Sequence, residues 1–421
     1  MTRAGQAFTG AAAVAVVLAM GGGVRDELRS GDEDRHGHRV AKNVIYIQGD
    51  GMSVGQRDLI RLATAGNRDD LVMNELPVSG LVHTDPADPE ETVTDSAAGA
   101  TAYATGHKTY NGGVGVDADG DPVETVLEMA KDAGKATGLV TTSQVTDASP
   151  AAFASHVRDR DVQSEIARQY VTSSRPDVIL GGGEDWWYPE GNPGAWPNHP
   201  AKDPTEESHG AKGNLVRRAE QAGYTYVSNG EELHATHADR ILGLFANEEM
   251  FEYEPEGEGA LYEPSVPLRT MTSKALDTLS RDRQGFFLMV EEEGIDGMAH
   301  ANNARMTIKT GKALDETVAA VLGFAKTHPR TLVIVGGDHE TGGLTIENVD
   351  DEDESGTGDS AEDGPFQVAD SDLEFTVDWS TGGHTGADVP FTAYGPGARR
   401  LDGTIDNTEV FDAMVRAMRL R

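Results

Sequence analysis

The sequence predicts an α/β fold: a three-layer sandwich in which a mainly parallel central sheet lies between layers of helices. Three observations predict it. Short, continuous apolar runs recur along the chain, helical patterns separate them, and 421 residues are enough for a large core. Continuous apolar runs are typical of parallel strands that are buried on both faces. Strands that alternate with helices favour a parallel sheet.

The elements follow from this reasoning in chain order. Strands are predicted at residues 43–48, 138–142, 177–180, 286–290, 331–335 and 391–394. Helices are predicted at residues 123–133, 269–279 and 305–325. The chain shows no internal repeat, so one folded domain is predicted over residues 43–421.

The N-terminus predicts export. Arg3 precedes an apolar run at residues 11–20, which is about half of the roughly 20 residues that span a bilayer. This pattern is typical of a secretory signal peptide, predicted at residues 1–22, and a disordered or core-helix N-terminus is the alternative. Polar residues 23–42 predict a linker. We therefore expect a secreted, periplasmic or cell-surface protein without a stable membrane span.

Two segments interrupt the regular pattern of strands and helices. Residues 184–267 are rich in Trp, Pro and Gly, which indicates an insertion or an elaborated loop region. Residues 350–364 are dominated by acidic residues and predict a solvated loop. A calcium-binding loop is the alternative for the second segment, but the ligand spacing of an EF-hand is absent.

Charge and composition exclude several classes of protein. There are 71 Asp and Glu residues against 35 Lys and Arg residues, a formal net charge of −36. Such a charge argues against nucleic acid or an anionic membrane surface as a partner. The chain has no cysteine, so any metal must be held by His and carboxylates. Few Lys and many acidic residues also predict a halophilic surface that stays hydrated in salt.

Carboxylates and imidazoles follow four of the predicted strands. These residues are Asp50; Asp147 with Ser149; Glu291, Asp296 and His300; and Asp338 with His339. Ligands of open α/β sheets bind at the carboxyl ends of the strands, so we expect these side chains to meet at one edge. Each residue alone would more often be a helix cap or a surface residue, but four strand ends together favour a site.

Two kinds of metal site are indicated. Asp296 and His300 are four residues apart and share one face of a helix. Together with Asp338-His339 and the glycine-flanked His384 they offer nitrogen and oxygen ligands, which suit zinc. Glu291, Asp147 and Ser149 offer only oxygen, which suits Mg²⁺.

Ser96 is a candidate nucleophile at the start of a helix. It is followed by small residues that are compatible with a helix, and exposed N–H groups at a helix start favour an anion. The alternative is that Ser96 only caps the helix. No Gly-x-Ser-x-Gly sequence surrounds Ser96, so an ordinary hydrolase triad is not indicated, and activation by a metal is expected instead.

Arg160 is a candidate phosphate ligand. It lies beyond Asp147 and Pro150, where a helix is predicted to start. The planar guanidinium of Arg can bind two oxygens of a phosphate. A surface ion pair with Asp159 or Asp161 is the alternative, and the spacing does not decide between them.

Residues 93–102 (VTDSAAGATA) and 105–112 (TGHKTYNG) closely resemble the nucleophile segment of alkaline phosphatases. The resemblance extends, with the motifs in the same order, over essentially the whole chain after the linker. It includes residues 49–52 (GDGM), 147–160, and the segments that carry the candidate metal ligands.

The resemblance implies a phosphomonoesterase with two Zn²⁺ and one Mg²⁺ per chain. It implies one zinc held by Asp296, His300 and His384, another held by Asp50, Asp338 and His339, and magnesium held by Asp50, Asp147, Ser149 and Glu291. Ser149 stands where the family often has Thr. The resemblance further implies that Ser96 forms a phosphoseryl intermediate, that Arg160, steered by Asp95, binds the phosphate, and that the protein is a homodimer.

The sequence departs from the family pattern in two places. Gly297 follows Asp296 where well-studied members carry Lys, His or Trp, so we expect altered phosphate release and an altered pH optimum. Ala246 follows Phe245 where the calcium site of the animal enzymes would need a carboxylate, so no calcium is expected.

Two other functions compete with phosphate-monoester hydrolysis. One is a superfamily phosphodiesterase or a sulfatase-like hydrolase, whose nucleophile is usually Thr or a modified Cys. Asp95-Ser96 together with Arg160 favours monoesters. The other is an inactive acidic metal- or phosphate-binding surface protein, which the complete set of site residues disfavours. The composition does not predict the natural substrate.

Overall fold

A computed structural model describes residues 40–196, 208–252, 261–349 and 361–420. The predicted signal peptide at residues 1–22, nearly all of the predicted linker and most of the acidic segment at residues 350–364 lie outside the described residues. Within the described ranges, no helix combines the length and the apolar character needed to cross a membrane.

Strands and helices alternate along the chain. The strands are β1 (Asn43–Gly49), β2 (Val78–His83), β3 (Ala136–Gln144), β4 (Val178–Gly182), β5 (Thr225–Val227), β6 (Ile241–Leu244), β7 (Phe286–Glu292), β8 (Thr331–Gly336), β9 (Glu340–Thr341), β10 (Leu344–Asn348), β11 (Ala361–Gln367), β12 (Glu374–Trp379), β13 (His384–Thr385), β14 (Val389–Tyr394) and β15 (Gly403–Asp406). The α-helices are α1 (Val54–Thr64), α2 (Ser96–Thr105), α3 (Val126–Asp132), α4 (Ala148–Ala154), α5 (Gln163–Gln169), α6 (Leu215–Gln221), α7 (Gly230–Ala235), α8 (Leu268–Leu279), α9 (Gly294–His300), α10 (Ala304–Thr327) and α11 (Thr408–Met418).

The central sheet has ten strands in the order β15-β2-β14-β8-β1-β7-β3-β4-β6-β5. Only β14 runs antiparallel to its two neighbours, and the other pairs of this sheet are parallel. The predicted α/β fold with a mainly parallel sheet is therefore confirmed. Residues 184–267, predicted as an insertion, supply β5 and β6 at one edge of the sheet. The predicted acidic loop overlaps β11 at residues 361–364.

Both faces of the sheet are covered. In β1, Val44 and Tyr46 pack in one core cluster, and Ile45 and Ile47 pack in the other. Helices α2, α3, α4 and α11 contribute to the first cluster, whereas α8 and α10 contribute to the second. Since strand side chains alternate between the two faces, burial of both faces explains why the strand sequences are continuously apolar.

The topology brings the polar strand ends together. Strands β8, β1, β7 and β3 are neighbours in the sheet and parallel to one another. Their carboxyl ends lead into the segments that carry the predicted site residues. A separate short antiparallel pair, β13 with β9, places His384 opposite Thr341 and so adds a residue from far along the chain.

Candidate active site

Ser96 is the first residue of α2, and Asp95 is its N-cap. The Asp95 side chain accepts a hydrogen bond from the Ala98 N–H at 2.9 Å. The alternative that Ser96 itself caps the helix is therefore wrong. The Ser96 hydroxyl is left to face the site, where its Oγ lies 3.1 Å from His339 Nε2.

Asp50, Asp338 and His339 form a buried cluster with the geometry of a cation site, because each offers a ligand atom within 4.8 Å of the others. His339 Nε2 lies 3.3 Å from Asp50 Oδ1 and 3.4 Å from Asp338 Oδ2. Both carboxylate oxygens are buried and have no hydrogen-bond partner among the described residues. Buried polar atoms are normally paired, so these two oxygens point to a bound cation.

The electrostatics of this cluster support the same conclusion. Burial, followed by repulsion from neighbouring carboxylates, raises the pKa of Asp50 and of Asp338 well above the ordinary value. Burial, followed by the charge of His384, lowers the pKa of His339 well below its ordinary value. A divalent cation would compensate two carboxylates and accept a neutral imidazole, so the residues fit a metal of the zinc type.

A second cluster adjoins the first. Asp296, His339 and His384 each offer a ligand atom within 4.8 Å of the others. His300 Nε2 lies 3.1 Å from Asp296 Oδ2 and 3.1 Å from His384 Nε2. The structure thus brings together the three residues predicted for one zinc, with the His339 ring 3.6 Å from that of His384.

The carboxylate and the imidazole on α9 stabilise each other's charge. Burial acts to raise the pKa of Asp296, but the hydrogen bond to His300 and the other imidazoles outweigh it and hold the pKa below its ordinary value. Burial acts to lower the pKa of His300, and the bond to Asp296 outweighs it and raises the pKa to about 9. Gly297 is buried on the same helix. An altered phosphate release and pH optimum, expected from this glycine, remain predictions.

Three of the four predicted magnesium ligands lie together. Ser149 Oγ donates to Asp50 Oδ2 at 3.1 Å, and interactions with both side chains act to lower the pKa of Glu291. Burial is the main cause that raises the pKa of Glu291 to about 7. The fourth predicted ligand, Asp147, is the N-cap of α4, and its Oδ1 accepts from Arg160 Nη2 at 2.9 Å.

Arg160 is directed into the site. Its guanidinium donates to Asp95 Oδ2 at 3.3 Å and to Asp147 Oδ1 at 2.9 Å, and the side chain is 29% exposed. The alternative of a surface ion pair with Asp159 or Asp161 is therefore wrong. Burial acts to lower the pKa of Arg160, but the two carboxylates outweigh it and raise the pKa, so the guanidinium is charged.

Sequence reasoning missed residues that orient the candidate ligands. Gln48 Nε2 donates to Asp50 Oδ2 at 3.1 Å and to Ser149 Oγ at 2.8 Å. Thr341 Oγ1 donates to Asp296 Oδ1. Gln48 could have been noticed, because it is a polar residue at the end of an otherwise apolar strand. Nothing in the sequence indicates that Thr341 reaches Asp296.

At two positions around the site, neighbouring atoms come so close to the backbone that only glycine fits. Gly51 has a φ of +66°, and a Cβ there would lie 2.6 Å from Asp296 Oδ1 and 2.8 Å from Thr341 Oγ1. A Cβ at Gly337 would lie 2.3 Å from the Met52 carbonyl oxygen. Gly51 therefore leaves room for the carboxylate, whereas Gly337 lets two backbone segments pack together.

The site combines a helix-start hydroxyl, a charged guanidinium and two adjoining groups of His and Asp residues that fit cations. Such groups suit reaction at the phosphorus of an anionic ester, because cations and arginine neutralise the charge that develops on the phosphoryl oxygens. The fold and the site define the class of metal-dependent hydrolases that transfer phosphoryl groups.

The chain belongs to the alkaline phosphatase family, whose sequence profile matches residues 41–369 and 350–420. It is 32% identical to alkaline phosphatase 3 of Bacillus subtilis, an alignment that covers 93% of this chain and 91% of that protein. It is 35% identical to streptomycin-6-phosphate phosphatase of Streptomyces griseus, covering 92% and 93%. The solved alkaline phosphatase of the Antarctic bacterium TAB5 superposes with a TM-score of 0.74 at 29% identity, covering 91% and 100%.

Proposed function

We propose that this protein hydrolyses phosphate monoesters to an alcohol and inorganic phosphate, with Ser96 as the nucleophile. The observation that carries the proposal is the convergence of three oxygen atoms on one imidazole nitrogen. Ser96 Oγ, Asp50 Oδ1 and Asp338 Oδ2 all lie within 3.4 Å of His339 Nε2, and the two carboxylate oxygens have no other partner among the described residues.

The cofactors that fit are two Zn²⁺ and one Mg²⁺ per chain. Asp50, Asp338 and His339 would hold one zinc, and Asp296, His300 and His384 would hold the other. Asp50, Asp147, Ser149 and Glu291 would hold magnesium. When bound, these ions supply stabilisation of negative charge on the attacking, leaving and phosphoryl oxygens.

Arg160 binds and orients the phosphate. Asp95 and Asp147 each hold one terminal nitrogen of its guanidinium, and the remaining N–H groups of the planar fork can bind phosphate oxygens. The N-terminus of α2 adds N–H groups and a favourable helix dipole at the same place.

Ser96 then carries the reaction in two displacements. Its Oγ forms a bond to phosphorus while the bond from phosphorus to the ester oxygen breaks, and the proton that the Ser96 hydroxyl loses passes to the departing alcohol. A water molecule next attacks the phosphorus of the phosphoserine. The bond between Oγ and phosphorus breaks while a proton of the water passes to Oγ, which releases inorganic phosphate and restores Ser96.

We further propose that the protein is exported, forms a homodimer and is adapted to salt. The N-terminal pattern supports export, the family supports the dimer, and the charge of −36 supports adaptation to salt. The phosphodiesterase or sulfatase-like alternative is not favoured, because the relatives named above are phosphatases that match nearly the whole chain.

The test is hydrolysis of a chromogenic phosphate monoester by the full chain in molar salt. The Ser96→Ala variant should lose roughly three orders of magnitude or more in turnover. A chelator should abolish activity, and zinc with magnesium should restore it. Turnover that survives both the substitution and the chelator would contradict the mechanism. Absence of turnover with metals bound would favour an inactive metal-binding protein.

A further inference from the structure

A cavity of about 410 Å³ has Asp161, the residue that follows Arg160, in its wall. Its walls are residues 161–165, Trp186 and the segment around His209 and Lys212. We propose that this cavity binds a flat aromatic or similar apolar group on the alcohol side of the substrate, and thus favours aryl-bearing phosphate monoesters. The inference rests on the proposed function, because it places the leaving group relative to Arg160.

The cavity is within reach of a phosphate held by Arg160. Val162 follows Arg160 by two residues, so their Cα atoms are at most about 7.6 Å apart. On the neighbouring wall, the Gln163 side chain is joined to Thr146 at 2.7 Å, and Thr146 precedes Asp147, which pairs with the guanidinium. The cavity wall is thus joined, through Gln163, Thr146 and Asp147, to the group that holds the Arg160 guanidinium.

The walls offer aromatic and aliphatic surface. The rings of Trp186 and His209 lie with their centroids 5.4 Å apart and their planes tilted by 44°. Val162 is 43% exposed, one of few large apolar side chains that the described residues leave open to solvent. Val162 shares the cavity wall with this aromatic pair, so apolar surface can be taken out of water there.

Several polar groups of the walls are already engaged within the protein. Trp186 Nε1 donates to Gln144, and Ser164 Oγ accepts from the Ala211 N–H at 3.0 Å. Lys212 pairs with Glu165 at 2.9 Å. Since these groups are occupied, the cavity offers contact area more than hydrogen bonds. This favours an apolar ring over a sugar or another polyhydroxylated alcohol.

The experiment compares two substrates that differ by a ring only. Ethyl phosphate and 2-phenylethyl phosphate have similar leaving alcohols, so the ratio of their kcat/KM values reports contact with the phenyl group. We expect the wild-type protein, loaded with metals, to prefer 2-phenylethyl phosphate by about tenfold, the scale of burying part of one ring. Val162→Ser should bring the ratio toward one, and Val162→Leu should retain it.

A matched control is Leu373→Ser, which replaces an exposed apolar residue (57% exposed) outside the cavity and should keep the wild-type ratio. Equal kcat/KM values for the two substrates in the wild type, or the same ratio in Val162→Ser as in wild type, would overturn the proposal while the phosphatase function stands. Failure to hydrolyse either substrate would instead contradict the proposed function.

Discussion

At the scale of single residues, Glu340 shows how the candidate ligands are held. Its carboxylate is buried and accepts hydrogen bonds from Gln56 Nε2 at 2.9 Å, Leu344 N at 3.2 Å, Gly343 N at 3.1 Å and the Thr385 hydroxyl. Thr385 directly follows His384 in β13. Glu340 thus fixes the short β13–β9 pair that sets His384 against His339.

Replacing Glu340 by Gln should weaken metal binding. The amide has one acceptor oxygen and one NH₂ group, and the NH₂ would face partners that are themselves donors. Loss of such a supporting contact typically costs 10–100-fold in metal affinity, so we expect a decrease of about that size. Competition with a chelator measures it, independently of activity.

The exposed Glu362 provides the matched control, and Glu362→Gln should bind metal as the wild type does. A restored affinity in Glu340→Asp is not expected, because the shorter side chain cannot reach both segments. Wild-type metal affinity in Glu340→Gln would show that this carboxylate does not position His384.

The residue scale also shows what a sequence can and cannot reveal. That Ser96, Arg160 and the candidate metal ligands lie together could be predicted, because these residues follow strand ends or lie in recognisable motifs. Glu340 could not, since its partner Gln56 is 284 positions away and no local pattern joins them. Contacts of this kind exist only once the sheet has aligned distant segments.

At the scale of elements, the sequence predicts which strands are buried on both faces. It does not predict whether each strand runs parallel or antiparallel to its neighbours. The run at 391–394 belongs to β14, which is antiparallel to β2 and β8, yet its composition matches that of the parallel strands. The two-residue strands β9 and β13 have no sequence period at all. Their pairing depends on tertiary contacts, and with it the placement of His384.

An ion pair between α3 and the end of α4 should make the stability of the folded protein depend on pH. His156, just after α4, bonds through Nε2 to Glu128 on α3 at 3.0 Å. Burial acts to lower the pKa of His156, but Glu128 outweighs it and raises the pKa above 6.5. Burial acts to raise the pKa of Glu128, but the bond to His156 outweighs it and lowers the pKa below 4.5.

The raised pKa of His156 contributes stability that is fully present below pH 6.5. This contribution is lost as the pH rises through the pKa of His156 in the folded state. The stability from Glu128 is present above 4.5 and is lost as the pH falls through its lowered pKa. Glu128→Gln should therefore lower Tm most near about pH 5.5 and less at about pH 9. Thermal unfolding across this range measures it, and a constant Tm difference would contradict the assignment.

At the scale of the whole molecule, the charge of −36 surrounds a site whose substrate is itself an anion. The charge at the site can nevertheless be positive. Three divalent cations would add about +6 there, and Arg160 adds one more positive charge. Most acidic residues are then a hydrated surface, and the Debye length falls from about 10 Å at 0.1 M salt to about 3 Å at 1 M.

Screening of that surface should stabilise the folded protein. We expect Tm and turnover to rise from dilute buffer to molar potassium or sodium chloride, because repulsion between surface carboxylates decreases. Thermal unfolding and initial rates over the salt series measure both. A protein that is fully stable and active in dilute buffer would contradict the halophilic interpretation and leave the phosphatase mechanism untouched.

The proposed mechanism requires that Ser96 becomes covalently phosphorylated during turnover. The most direct measurement is to mix the metal-loaded protein with a phosphate monoester, quench it rapidly in acid and locate the phosphoryl group by peptide mass spectrometry. We expect phosphate on Ser96 in the wild type and none in Ser96→Ala. A phosphoryl group on another residue, or continued turnover with no phosphorylated residue, would contradict it.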